Sequence, residues 1–263
     1  MKNNKIAVFG AGSVIGALGG LIGLGGAEFR LPLLIGLFRF AALEAIVLNK
    51  AMSLVVVATA LPFRAHAVPF DQVAAHWSTI VNLLAGSLLG AGFGAGWATR
   101  LKSATLYKVI ALLLVAIAAV LIAGHDSNGT GQPLFTGVLL IGAGVLAGFC
   151  IGVVASLLGV AGGELLIPTL VLLFGVDIKL AGSLSLAVSL PTMLVGFARY
   201  SQDRSFGVLK GNLPFVLTMA AGSIAGTFIG GRMLGLVPNS ILLPLLAAIL
   251  LISAVKVWRH QEV

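Results

Sequence analysis

The two halves of the chain repeat one sequence pattern, in which residues of the first half recur 136 positions further on. The register holds without a gap from about residue 11 to residue 94. The matched pairs include Gly12 with Gly148, Gly16 with Gly152, Gly23 with Gly159, Gly26 with Gly162, Glu28 with Glu164, Pro32 with Pro168, and Ser53 with Ser189. A fixed spacing over this length indicates two copies of one structural unit. We predict a first unit over residues 1–123, a linker over 124–137 and a second unit over 138–263.

Each unit consists of long, continuous apolar runs, which are typical of membrane proteins. The 263 residues are 59% hydrophobic and 9% charged, whereas an average soluble domain has about 25% charged residues. A soluble fold would lack the polar surface that it needs in water, which excludes a cytosolic enzyme. A membrane β-barrel would show short segments of alternating polarity. The sequence therefore predicts an all-α polytopic membrane protein.

The length of each apolar run indicates how far it reaches across the bilayer. A helix needs about 20 apolar residues to span the hydrocarbon, whereas 10–14 residues are typical of a re-entrant segment. The shorter runs therefore predict one re-entrant or half-helix segment in each unit, next to a glycine-rich break. The predicted segments are 6–22, the break at 23–27, 28–38, 42–61, 77–98 and 104–123 in the first unit, and 138–158, 164–175, 180–198, 213–233 and 241–257 in the second.

The basic residues favour units of inverted topology. If the segment 6–38 enters the membrane and returns, eleven Lys and Arg residues lie on one side, with only Arg30, Arg64, Lys179 and Arg232 opposite and Lys50 inside a helix. If the segment 6–38 crosses the membrane only once, the basic residues show no preference for either side. The positive-inside rule therefore predicts inverted repeats in a multi-pass membrane protein with both termini cytoplasmic. It also explains the net charge of +8 without a nucleic acid partner. The eleven residues are Lys2, Lys5, Arg39, Arg100, Lys102, Lys108, Arg199, Arg204, Lys210, Lys256 and Arg259.

Two further questions are whether the N-terminal segment is a cleaved signal peptide and whether the chain can bind a metal. Lys2, Lys5 and the apolar run from Ile6 resemble the start of a signal peptide, but this segment has a partner in the second unit, so we expect it to be part of the fold. Cys150 is the only cysteine, and the four histidines lack the spacing of metal ligands. No metal site and no cofactor is predicted.

Two matching glycine-rich elements, Gly23 to Pro32 and Gly159 to Pro168, are the candidate site. Interrupted segments in corresponding positions of inverted repeats are typical of secondary transporters, which bind substrate where the repeats meet. Glycines let the backbone leave the helix, and each proline suits the first turn of a new helix. The exposed amides and positive helix ends then favour an anion; close packing is the alternative. The predicted substrate-binding residues in these elements are Gly23, Gly25, Gly26, Ala27, Glu28, Arg30, Gly159, Gly162, Gly163 and Glu164.

Ionisable residues inside a membrane indicate function by default. Glu28 and Glu164 are candidates for proton coupling, or they cap helices or pair with Arg30 and Lys50. The guanidinium of Arg30 suits the oxygens of a sulfonate, carboxylate or phosphate. Lys50 either contacts the anion or extends to the cytoplasmic face. The polar residues Asn49, Ser53, Ser185 and Ser189 line the path, or they form hydrogen bonds between helices.

A second set of glycines has the spacing of helix-packing motifs. For these glycines we predict close contact between helices rather than a binding site. They are Gly86, Gly90 and Gly94, with the copies Gly222, Gly226 and Gly230.

The paired elements that end in Pro32 and Pro168, together with the stretch from Ala181 to Ala187, resemble the sulfite exporter TauE/SafE family over nearly the whole chain. The resemblance implies an inner-membrane transporter of sulfur-containing organic or inorganic anions, with two repeats and no prosthetic group. The chain departs from the family pattern at Ala27, Glu28 and Arg30, where a glycine and apolar residues are usual.

Four functions follow as hypotheses. The first is a secondary transporter that moves a small anion, such as sulfite, an organosulfonate or a carboxylate, by alternating access and a proton or ion gradient. A passive anion channel and a membrane-embedded enzyme are alternatives, and a purely structural subunit is the last. The chain has no Walker motif, and its scattered histidines do not favour an enzyme. The expected partners are the anionic substrate and membrane lipid, and a homodimer is left open.

Overall fold

The computed structural model describes residues 4–97, 112, 115, 118–119, 133–158, 161–200 and 205–259. Within these ranges the regular structure is helical, without a strand. The first unit contains α1 (Lys5–Ile22), α2 (Ala27–Pro32), a π-helical turn (Leu33–Leu37), α3 (Ala42–Arg64), α4 (Phe70–Ala75) and α5 (Trp77–Trp97). The second contains α6 (Gly137–Leu158), α7 (Gly163–Phe174), α8 (Ile178–Tyr200), α9 (Ser205–Gly211), α10 (Leu213–Met233) and α11 (Asn239–Arg259). The helix predicted at 104–123 lies largely outside the described residues.

Five of the described helices are long and apolar enough to cross a membrane. The five spans are Lys5–Ile22, Val47–Arg64, Gly137–Ser156, Ile178–Val195 and Leu213–Met233. Shorter apolar helices cover Trp77–Phe93, Gly163–Phe174 and Asn239–Ile252. The prediction of an all-α polytopic membrane protein is confirmed.

The helix boundaries repeat at the same spacing as the sequence. Adding 136 to the ends of α3 gives the ends of α8, and adding it to the ends of α5 gives those of α10. The copies differ after the breaks: α7 continues as an α-helix to Phe174, whereas α2 passes into the π-helical turn after Pro32. The division of the chain at residues 123 and 138 stays a prediction.

The first helix of each unit packs along the fifth helix of the other unit. In the pair of α1 and α10, Gly12 faces Met219 and Gly20 faces Thr227, so these helices run in the same direction. The helices α5 and α6 are also parallel, with Leu83 against Gly148 and Ser87 against Gly152. At each contact the glycine meets backbone, and no side chain would fit. The packing role is confirmed for Gly86, Gly90, Gly222, Gly226 and Gly230; the contacts of Gly94 lie outside the described part.

The third helices, α3 and α8, occupy equivalent positions in the two units and contact each other in opposite directions. Arg64, the last residue of α3, hydrogen-bonds Lys179 and Ser183, which lie at the start of α8. Further along, Val57 and Ala60 of α3 pack with Leu186 of α8. This antiparallel pair brings the middles of α3 and α8 together.

A methyl group added at Gly16 is expected to destabilise the protein by about 1–3 kcal/mol, because overpacking a tight contact forces backbone shifts. It would overlap the carbonyl oxygen of Ser223. Gly10 in the same helix is the matched control, since a Cβ there meets nothing within 4 Å. Thermal unfolding of Gly16→Ala and Gly10→Ala in detergent tests this; equal melting temperatures would mean that the contact of α1 with α10 tolerates a side chain.

Candidate functional site

The two glycine-rich breaks contact each other. A Cβ built at Gly25 would lie 2.8 Å from the Cβ of Ala161, the residue at the matching position of the second unit. The second break also reaches the first at Gly163, whose Cβ would lie 3.4 Å from the carbonyl oxygen of Gly23. Ser53 and Ser189, the central residues of the 23-residue helices α3 and α8, flank this contact. The breaks therefore meet at the middle of the helices that surround them.

Left-handed glycines set the geometry of both breaks. Gly23 ends α1 with φ 96°, while Gly26 and Gly162 precede α2 and α7 with φ 68° and 76°. Residues with a side chain rarely adopt such φ values, so glycine is required at these positions. Neither short helix has a side-chain cap at its start. Consequently both short helices begin at the centre, with their positive ends near each other.

The prolines occupy a different position from the one predicted. Pro32 is the sixth residue of α2, and Pro168 is the sixth of α7, so neither lies in the first turn. The helices begin earlier, directly after the left-handed glycines. A proline at this position cannot donate the α-helical hydrogen bond to the residue four positions earlier. Those residues are Glu28 and Glu164, whose carbonyl groups lose that partner.

Arg30 places a guanidinium inside the bundle, beside the first break. Its side chain is fully buried, and Nη1 donates to Ser53 Oγ at 3.0 Å and to the carbonyl oxygen of Gly25 at 3.5 Å. Asn49, one helical turn before Ser53, donates from Nδ2 to the carbonyl oxygen of Ala27 at 3.2 Å. These bonds attach the break and the start of α2 to the middle of α3.

Serines of α8 bind the breaks in a similar way. Ser189 Oγ donates to the carbonyl oxygen of Ala161 at 2.8 Å, and Ser185 Oγ donates to that of Gly23 at 3.4 Å. Both serines are buried. The structure thus brings Asn49, Ser53, Ser185 and Ser189 to the breaks through hydrogen bonds between helices, one of the two interpretations that the sequence left open.

Of the remaining predicted site residues, Glu164 and Lys50 have described side chains, and both are buried. Glu164 lies in the first turn of α7 and is 7% exposed, where the positive helix end favours a carboxylate. Lys50 is 8% exposed, so most of its side chain lies inside the protein. Glu28 is the second residue of α2, but its side chain, like all of Gly159, lies outside the described part of the structure.

Charge is distributed unequally between the two copies of the site. The positions that match Arg30 and Lys50 in the second unit are Leu166 and Leu186, both buried in apolar surroundings. The second unit therefore accommodates leucine at both positions. The first unit thus buries two basic side chains where the second unit has leucines.

Arg64 was not predicted as a site residue, and the structure shows that it joins the two units. Its fully buried guanidinium donates to the carbonyl oxygens of Gly20, Leu21 and Lys179 at 2.7–2.8 Å and to Ser183 Oγ at 3.0 Å. Gly182 lies against it, because a Cβ there would be 2.5 Å from Nη2. The sequence placed Arg30 and Arg64 on the side of the membrane opposite the termini; in the structure both side chains are buried inside the protein.

The model of the family described as sulfite exporter TauE/SafE matches residues 7–257, nearly the whole chain. No curated protein and no solved structure matches this chain.

Proposed function

Because the chain belongs to the sulfite exporter TauE/SafE family, a family of membrane transporters, we propose that it carries a small anion across the bacterial inner membrane. The proposed substrates are sulfite, organosulfonates or related sulfur-containing or carboxylate anions. The observation that carries this proposal is the buried guanidinium of Arg30 beside the contact between the two breaks.

Anion binding at this place has an electrostatic basis. A cation in a low-dielectric interior attracts an anion far more strongly than it does in water, and the starts of α2 and α7 add partial positive charge. The matching leucine of the second unit indicates that the fold does not need a cation at this position. We therefore assign Arg30 to substrate, with Lys50 as the second positive charge.

The proposed mechanism is alternating access, in which two units of inverted topology move relative to each other. Two observations support the inversion: the equivalent helices α3 and α8 are antiparallel, and each unit's first helix packs on the other unit's fifth. The buried positions of Arg30 and Arg64 support cytoplasmic termini, since only Lys179 and Arg232 then remain on the opposite side. The substrate site is closed to solvent by its burial, so transport requires movement between the units.

Proton coupling is assigned to Glu28 and Glu164. The support is the burial of Glu164 in the first turn of α7 and the matching position of Glu28. A buried carboxylate that gains a proton loses its charge, which changes its attraction to an anion nearby. Such a group can link movement of a proton to movement of the substrate.

Purified protein in liposomes is expected to move sulfite, sulfate, an organosulfonate or a carboxylate with saturable kinetics, and faster under an imposed proton gradient. Glu164→Gln should retain flux but lose its response to the gradient, because the amide cannot exchange a proton. Glu44→Gln, at the start of α3, is the matched control and should keep the response.

Each alternative has its own outcome. If none of these anions moves, the anion transporter is wrong. Non-saturating flux that ignores the gradient would identify a passive channel. A response to the gradient that survives in Glu164→Gln would return this carboxylate to a structural role.

A further inference from the structure

Asn49 holds a buried hydrogen-bond acceptor that has no partner in the described part of the structure. The residue is 1% exposed, and its Oδ1 has no hydrogen-bond partner among the described residues. The other amide atom, Nδ2, donates to the carbonyl oxygen of Ala27, which defines the orientation of the group. Since buried polar groups in proteins are nearly always paired, an unpaired oxygen at this depth needs an explanation.

The unpaired oxygen lies in the candidate substrate site. Asn49 and Ser53 share one face of α3, because they are four residues apart. Ser53 accepts from Arg30, and its Cβ is 3.4 Å from the position of a Cβ on Gly25. Asn49 therefore faces the same break, one turn away from the bond that orients the guanidinium.

An acceptor in this position bears on which anions can bind. A fully deprotonated oxyanion needs only donors, and the carbonyl oxygen of an amide repels it. An anion that carries one proton can instead donate to that oxygen, while its remaining oxygens face the cation. Discrimination is strongest when a buried polar group of the site would otherwise stay unpaired.

We propose that Asn49 Oδ1 accepts a hydrogen bond from the bound anion, so that the site selects oxyanions carrying one proton, such as hydrogen sulfite, over anions of equal charge without one. This inference rests on the proposed function. It makes Asn49 a residue that determines specificity, in addition to the hydrogen bond through which it holds the start of α2.

Methylphosphonate and methanesulfonate are the probes that isolate this property. Each has one methyl group and three oxygens, and in mildly acidic buffer each carries a single negative charge. Only methylphosphonate has a hydroxyl proton to donate. The unaltered protein in liposomes is expected to transport methylphosphonate faster than methanesulfonate at equal concentration.

Asn49→Leu is expected to lower the ratio of methylphosphonate flux to methanesulfonate flux by about 5-fold to 10-fold. This factor corresponds to the loss of one hydrogen bond between the hydroxyl group of the anion and the amide oxygen. Asn49→Ser should lower it similarly, because the shorter side chain withdraws from the anion. Serine is the residue at the matching position 185, so this variant is available if the leucine variant does not fold. Ser53→Ala is the control, since loss of its bond to Arg30 should change both fluxes alike.

The outcomes separate this inference from the function on which it rests. If the unaltered protein moves neither probe nor any sulfur oxyanion, the proposed function is wrong. If it transports methanesulfonate at least as fast as methylphosphonate, or if neither Asn49 variant changes the ratio, transport stands and the role of Asn49 is overturned.

Discussion

Replacing Arg30 with leucine is expected to reduce anion flux about 100-fold, with the protein still folded in the membrane. Removing one partner of a buried, hydrogen-bonded charge pair costs about 2–5 kcal/mol of binding free energy, and each 1.4 kcal/mol is a factor of about 10. Leucine is the buried residue at the matching position 166 of the second unit, so this substitution copies a residue that the repeat itself uses. The measurement is initial flux in liposomes at equal protein content.

Two further variants help to interpret that result. Arg30→Lys keeps the charge but loses the forked geometry, so its flux should fall between those of the unaltered protein and the leucine variant. Arg232→Leu removes an exposed arginine near the end of α10 and should transport normally. Normal flux through Arg30→Leu would mean that Arg30 serves only to hold Gly25 and Ser53.

Replacing Arg64 with methionine is expected to lower the free energy of unfolding by about 3–5 kcal/mol, the cost of breaking a buried charged network. The change leaves the carbonyl oxygens of Gly20, Leu21 and Lys179 without their donor. Two of these carbonyls end α1, where a cation also favours the negative end of the helix. Unfolding followed by heat or denaturant in detergent measures the loss.

The control for this prediction is Arg232→Met, an identical change at an exposed position, which should cost no more than about 0.5 kcal/mol. Arg64→Lys should recover part of the stability, because an ammonium group can reach fewer of the four acceptors. If Arg64→Met unfolds within about 1 kcal/mol of the unaltered protein, the network does not hold the units together.

The helices were predictable because their signal is local. An apolar run of sufficient length must lie in the membrane, and the backbone in that setting satisfies its hydrogen bonds as a helix. The repeat then supplied two independent estimates of each boundary. The largest error concerned Pro32 and Pro168, since a proline is compatible with several early helical positions and the left-handed glycines before it decide where the helix begins.

The partners of the buried charges were not predictable in the same way. The sequence identified Arg30 and Lys50 as ionisable residues near a break, but Arg64 resembled an ordinary basic residue at the end of a span. Its partners are 43 to 119 positions away along the chain. The sequence offered one indication that Arg64 has a special role, because the matching position of the second unit holds Tyr200 and not a basic residue.

The sequence by itself determined that the protein is a helical membrane protein of two related units with a glycine-rich break in each. Those properties depend on composition, apolar length and residues that are close along the chain. Only the tertiary structure decided that Gly25 meets Ala161 and that Ser53 orients Arg30. It also decided that Asn49 Oδ1, on the same face of α3, has no hydrogen-bond partner among the residues described. Each of these depends on how distant helices pack, because the same polar residue is a binding group or a packing contact according to what the neighbouring helix places against it.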